Sequence, residues 1–184
     1  MGSIIEHDNK NFYTATGFAF GCSFTSGTGV DSTEAWPSLL NVDNIGQPGA
    51  SNDYICRTAI DYIQEYKPKY IFVMWTFPAR REWIDEDGNK LRFKPDDVKF
   101  KWEEAHLELQ NSEYDKYNKG KNKLLLELYC LNNNVRLYQM NIDDIDHTLM
   151  RRGSDNSHPG REWHTNVAEH FTKQMVAHSP EIPR

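Results

Sequence analysis

The chain has 184 residues, 38% hydrophobic and 12% aromatic, enough for one domain (1–184) whose core needs neither disulfides nor metals. A formal net charge of −6 excludes a nucleic-acid binder, which needs a concentrated basic surface. No apolar run approaches the length of a membrane span, which argues against a membrane partner. The opening MGSIIEHDNKNFY has no charged and apolar leader pattern, and Glu6 breaks the myristoylation pattern, so a cytoplasmic location is expected. Cys22, Cys56 and Cys130 are widely spaced and read as reduced, buried thiols.

In chain order, Thr16–Cys22 is short, apolar and glycine-bounded, which predicts a buried strand. Ser23-Phe-Thr-Ser-Gly-Thr-Gly29 then reads as a loop. A short helix is expected around Trp36–Leu40, with Pro37 in its first turn. Val42–Ile45 suits an edge strand, closed by the turn Gly46-Gln-Pro-Gly49. Ser51-Asn-Asp53 offers caps for a helix presenting Ile55, Ala59, Tyr62, Ile63 and Tyr66, which Pro68 ends. Tyr70–Trp75 is apolar on both alternating faces, as a central parallel strand should be.

Residues 80–120 form a dense charged insertion, broken by Trp83, Phe93, Phe100 and Trp102 and running into a long helix. A solvated excursion is the plainer expectation for it and a lid over the site the sharper one. Leu124, Leu125, Leu128 and Leu131 lie on one side of that long helix, and Val135–Met140 resembles the next strand. Trp163, Val167, Phe171 and Met175 recur every four residues, predicting a C-terminal helix packed on the sheet. Strands alternating with helices imply an α/β fold with a central parallel sheet.

Three segments carry chemistry, each where a parallel sheet places ligands, beyond the carboxyl end of a strand. Gly21-Cys-Ser-Phe-Thr-Ser-Gly27 can present a serine hydroxyl after a buried strand. The Walker and dinucleotide glycine patterns are absent, so no nucleotide cofactor is expected. Gly46-Gln-Pro-Gly49-Ala-Ser-Asn52 opens a helix, where backbone N–H groups favour developing negative charge. In Asp155-Asn-Ser-His158-Pro-Gly160 the carboxylate can fold back on the imidazole, fix its tautomer and stabilise the imidazolium. A metal site is a weak rival. His158, His164 and His170 are six apart, off any single helical face, and no zinc framework is present.

Together these segments resemble the blocks of the SGNH (GDSL-like) hydrolases. Gly21-Cys-Ser23-Phe-Thr looks like the first block with Gly-x-Ser in place of Gly-Asp-Ser, Gly49 matches the glycine of the second, and Asp155-x-x-His158 the last. The resemblance covers nearly the whole chain. It implies a three-layer α/β/α sandwich of flavodoxin-like type, with Ser23 attacking an ester, His158 as base and Asp155 orienting it. It also implies an oxyanion held by the N–H groups of Ser23 and Gly49 and by a third-block asparagine.

That third block departs. Where the family has Gly-x-Asn-Asp, this chain reads Trp75-Thr-Phe-Pro78-Ala-Arg80-Arg81. Losing one oxyanion donor raises a barrier by about 2.7–4 kcal/mol. Thr76, Asn52 or Arg80 are the candidate substitutes. Arg80 and Arg81 with Trp75 are candidate substrate contacts, the arginines either as a fork for an anionic group or as partners of nearby carboxylates.

The function expected is an ester hydrolase (esterase or acetylesterase type) acting on a small or carbohydrate-linked ester through acyl-Ser23. The alternative is a weakly active or inactive module of the same fold that grips a glycan or anionic ligand with Arg80, Arg81, Trp75 and Trp83. Acyl transfer to an acceptor other than water stays open, as do the acyl group and the oligomeric state.

Overall fold

A computed structural model of the chain describes residues 17–146 and 150–177; Thr16 and the N-terminal segment lie outside the described residues. A parallel four-stranded sheet is built from β1 (Gly17–Phe20), β2 (Asp43–Asn44), β3 (Tyr70–Trp75) and β6 (Arg136–Asn141) in the order β2-β1-β3-β6. The central pair is in register from Gly17 with Tyr70 to Phe20 with Val73, so β1 and β3 deliver their carboxyl ends side by side.

Helices cover both faces. α3 (Asn52–Tyr66) and α5 (Ser112–Asn132) pack together on one, α2 (Trp36–Leu39) and α6 (Arg161–Ala177) on the other. The reason lies in the alternation of the strands. Phe72 of β3 meets Phe171 of α6 at 5.2 Å and Trp36 of α2 at 6.4 Å between ring centroids. Phe18 and Phe20 of β1 meet Tyr62 of α3 edge-on at 5.2 and 5.5 Å. Ser51 caps α3, its hydroxyl accepting from Tyr54 N–H at 3.1 Å. Trp163, Val167 and Phe171 are buried as their spacing predicts, with Met175 partly so.

Two expectations are corrected. Ser23–Ser26 is not loop but one helical turn, α1, in which Thr25 and Ser26 N–H donate to the Cys22 carbonyl and Gly27 closes the turn in the left-handed conformation. The apolar face expected for α5 is also the wrong one. Leu124, Leu125, Leu128 and Leu131 are 49–73% exposed, and the buried residues are Asp115, Asn118, Asn122, Leu126 and Cys130. The cause is polar. Asp53 of α3 accepts from both Asn118 and Asn122 at 2.8 Å, and these bonds fix the rotation of α5.

The charged insertion is folded. It forms the antiparallel hairpin β4 (Arg81–Ile84) and β5 (Lys90–Phe93), then α4 (Lys101–Leu109), with Phe93 fully buried. The cysteines are free and buried, and burial raises the thiols of Cys56 and Cys130 to about 11 and 12. No helix of the described residues is long and apolar enough to cross a membrane.

His164 gives the core an acid limit. It is fully buried, its Nδ1 accepts from Trp36 N–H at 3.3 Å, and burial pushes its pKa from 6.5 down to about 4. The unfolded chain therefore binds the extra proton between those values. The stability due to a neutral His164 is complete above pH 6.5, falls as the pH drops through that window, and loses no more below pH 4, a change on the order of 3 kcal/mol. Denaturant titrations across that range should show a shallower acid slope for His164→Gln than for the wild type. Equal slopes would assign the acid limit to other groups.

Candidate active site

The site is built at the carboxyl edge of β1 and β3 by segments that lock together through backbone contacts. α1 follows β1 at once and places Ser23 in the first turn, where N–H groups have no partner inside the helix. The Ser23 carbonyl is engaged, accepting from Thr28 N–H at 3.1 Å and Ser26 Oγ at 3.0 Å, and the residue is recessed below the surface.

The second block lies directly against this turn. Ile45 and Gln47 N–H donate to the Ala19 and Gly21 carbonyls at 2.8 and 2.9 Å, and the Asn44 amide donates to the Thr25 carbonyl at 3.0 Å. A Cβ at Gly46 would stand 2.4 Å from the Ser26 nitrogen, so only glycine lets the two segments meet. Gly49 follows, three residues before Asn52 of α3.

The loop Arg151–Gly160 carries the candidate pair Asp155 and His158. Asp155 Oδ2 lies 2.5 Å from His158 Nδ1, while Oδ1 accepts from the N–H groups of His158 and Ser157 at 2.9 and 3.0 Å. Those backbone donors, His158 first, with the imidazole bond added, hold the Asp155 carboxyl down at about 2. It is an anion at any working pH, able to hold the histidine tautomer. Arg152 bridges to Pro159 at the base of the loop, and Gly153 N–H donates to the His158 carbonyl at 2.8 Å.

Contacts with the segment after α1 dock this loop. Ser154 N–H and Oγ donate to the Gly29 carbonyl at 2.7 and 3.0 Å. Phe24, next to Ser23, meets the His158 ring edge-on at 5.6 Å, Trp163 at 5.3 Å and Phe77 at 6.3 Å. Ser23 and the Asp155–His158 pair, far apart in sequence, are thus carried by segments in direct contact.

The third block is arranged otherwise than its residue types suggest. Thr76 is fully buried, and its hydroxyl accepts from Arg80 Nη1 at 3.1 Å. Asn52 is fully buried too, with Oδ1 accepting from Thr76 N–H at 2.9 Å and Nδ2 facing the Thr76 and Phe77 carbonyls at 3.2 and 3.4 Å. Its amide is committed to tying the second block to the third. Trp75 is in the core, its indole N–H donating to Gln139 at 2.7 Å, away from any ligand. Arg81 is buried in an ion pair with Asp115 and also donates to the Pro78 carbonyl, so it serves the insertion and not a ligand. Arg80 and Phe77 are half-buried, with the guanidinium carbon 4.9 Å from the Phe77 ring centroid.

Sequence reasoning missed Lys94 and Arg92. The Lys94 stem passes Gly49 at 3.6 Å from where a Cβ would stand, and Arg92 donates to the Pro48 carbonyl at 3.2 Å. These contacts put the hairpin of the insertion beside the second block. Hydropathy carries no signal for them, because charged stems acting as walls look like solvated side chains. Among the described residues no group of three His, Cys, Asp or Glu side chains gathers as a metal-ligand set.

No family model and no curated protein matches the chain in sequence. Its structure is similar to that of the psychrotrophic esterase EstA from Pseudoalteromonas sp., at 12% identity, over 88% of this chain and 97% of that one, with a TM-score of 0.53. TesA is also similar, at 12% identity, 88% and 98% coverage and a TM-score of 0.45. The chain shares with EstA an α/β/α fold, a central parallel sheet with helices on both faces.

The docking contact is open to test. Gly29 has φ +94°, and a Cβ there would stand 2.9 Å from Asp155 Oδ1 and 3.3 Å from His158 Cβ. Gly29→Ala should therefore displace the Asp155–His158 loop and lower thermal stability, by about 1–3 kcal/mol for the backbone strain alone. An unshifted melting curve with an unchanged His158 NMR environment would show that the loop does not depend on this approach.

Proposed function

We propose that the protein is a serine ester hydrolase with Ser23 as nucleophile, His158 as general base and Asp155 as its orienting anion. The observation that carries the reading is the 2.5 Å Asp155–His158 pair, seated by the 2.7 Å Ser154–Gly29 bond against the segment that bears Ser23. His158 Nε2 takes the Ser23 proton as Oγ attacks the ester carbonyl. The tetrahedral oxyanion meets the N–H groups of Ser23 and Gly49. His158 then hands its proton to the departing alcohol, leaving acyl-Ser23, which water attacks by the same base. Asp155 stabilises the imidazolium in both halves without changing its own charge.

The third oxyanion donor is where this site differs. Asn52 spends its amide on backbone and the Thr76 hydroxyl meets Arg80, while Phe77 packs toward Phe24 beside His158. In this reading Phe77 occupies the place of the family asparagine, so the oxyanion is held by two backbone donors and the enzyme is slow on simple esters.

Two measurements test the proposal. Ser23→Ala and His158→Ala should each reduce turnover of a short-chain aryl ester to a similar residual level, and the double variant should fall little further. Additive losses would contradict a shared catalytic unit. Phe77→Asn should raise kcat on the same neutral ester, by up to the roughly 100-fold that one oxyanion donor supplies, with a smaller change in KM. A folded variant with no gain would place the rate limit elsewhere.

A further inference from the structure

The cations around the crevice are not equivalent. Arg57 pairs with Glu82 at 2.9 Å, Lys94 with Asp97 at 3.0 Å, and Arg81 with Asp115. Arg92 donates to the Pro48 carbonyl and lies over the Tyr54 ring, an exposed position outside the second block. Arg80 differs from the three paired cations in having no acidic partner, and from the exposed Arg92 in its half-buried place. It is half-buried at the third block, and among the described residues no carboxylate lies within ion-pair distance of it.

What holds Arg80 leaves its charge unused. One face of the guanidinium lies on the Phe77 ring at 4.9 Å, and Nη1 donates to Thr76 Oγ1 at 3.1 Å. Both contacts orient the group and neither neutralises it, while Nε and Nη2 engage no protein group among the described residues. The ring beneath it touches Phe24, which touches His158, so the oriented fork stands two aromatic contacts from the base. In a chain of net charge −6, where Arg57, Arg81 and Lys94 each have an acidic partner, a preorientated and uncompensated guanidinium is suited to receive an oxyanion.

We infer that Arg80 binds an anionic group of the substrate, so that the esters this site takes are acidic ones carrying a carboxylate or sulfonate-type oxyanion near the scissile bond. The inference rests on the ester-hydrolase reading, and its anchor is a specificity residue and not part of the proton relay. Arg80 acts on the ground state and the transition state alike, so it should lower KM for acidic esters more than it raises kcat.

The test separates binding from turnover. Ser23→Ala protein is titrated calorimetrically with monoethyl succinate and with neutral diethyl succinate, and in a second arm with 4-acetoxybenzoate and its methyl ester. The first arm places the anion on the acyl side and the second on the alcohol side, and 4-acetoxybenzenesulfonate asks whether geometry or charge is read. In at least one arm the acidic ligand should bind roughly ten- to hundredfold tighter than its neutral partner, as a charge-assisted bond to guanidinium predicts. The ratio should fall to near one when Arg80→Gln is added, and to an intermediate value with Arg80→Lys, which keeps the charge without the fork. No preference in either arm, or a preference that survives Arg80→Gln in folded protein, overturns the inference. Because binding to the Ser23→Ala protein needs no catalysis, an inactive wild-type enzyme with intact acidic-ligand preference would sink the hydrolase reading and leave the anchor standing.

Discussion

The approach of the Asp155 loop to Gly29 is the contact on which the site depends. The sheet brings β1 and β3 together, but it does not by itself carry residues 153–158 to the segment that holds Ser23. That is done by two hydrogen bonds from Ser154 to one carbonyl, and by a glycine pair whose bare Cα atoms let the backbones close. A Cβ at Gly153 would stand 2.4 Å from the Gly29 oxygen, and one at Gly29 would press on the Asp155 carboxylate. With the loop seated, the rest follows. Asp155 collects two backbone donors, stays ionised and fixes the imidazole, and Phe24 supports the ring from the side.

A second constraint is polar attachment. The insertion is joined to the domain by charged and amide groups, Arg57 with Glu82 and Asp53 with Asn118, and is closed on itself by Arg81 with Asp115. Such pairs add little net stability, because each buried partner has lost its water, but removing one partner strands the other. The consequence is visible on α5, where amides face inward and leucines outward. It is visible again beside the second block, where Lys94 and Arg92 border the Gly49 turn.

Much of this was legible in the sequence. The positions of the apolar strands, the cap at Ser51, the four-residue spacing from Trp163 to Met175 and the Asp155–His158 spacing all rest on local rules, and local rules survived folding. The failures share a cause. The face of α5 is misjudged because the leucine count outweighs the asparagines in any hydropathy reading, whereas the asparagines meet the half-buried Asp53 carboxylate. Trp75 and Arg81 read as ligand contacts because they lie at and beyond the end of a central strand, but an indole with Gln139 and an arginine with Asp115 are long-range pairings with no local trace. The turn at Ser23 escaped because a single helical turn has no periodicity to detect.

The central claim is that Ser23 is an activated nucleophile, and a fluorophosphonate probe reads that directly. The probe phosphonylates a serine only when a base withdraws its proton and an oxyanion hole receives the charge. Peptide mapping by mass spectrometry after exposure should find one phosphonyl group, on the peptide containing Ser23. Labelling should be slowed steeply by His158→Ala and lost with Ser23→Ala. Folded wild-type protein that remains unlabelled, or that labels at another serine, or that labels at Ser23 at the same rate without His158, would contradict the account.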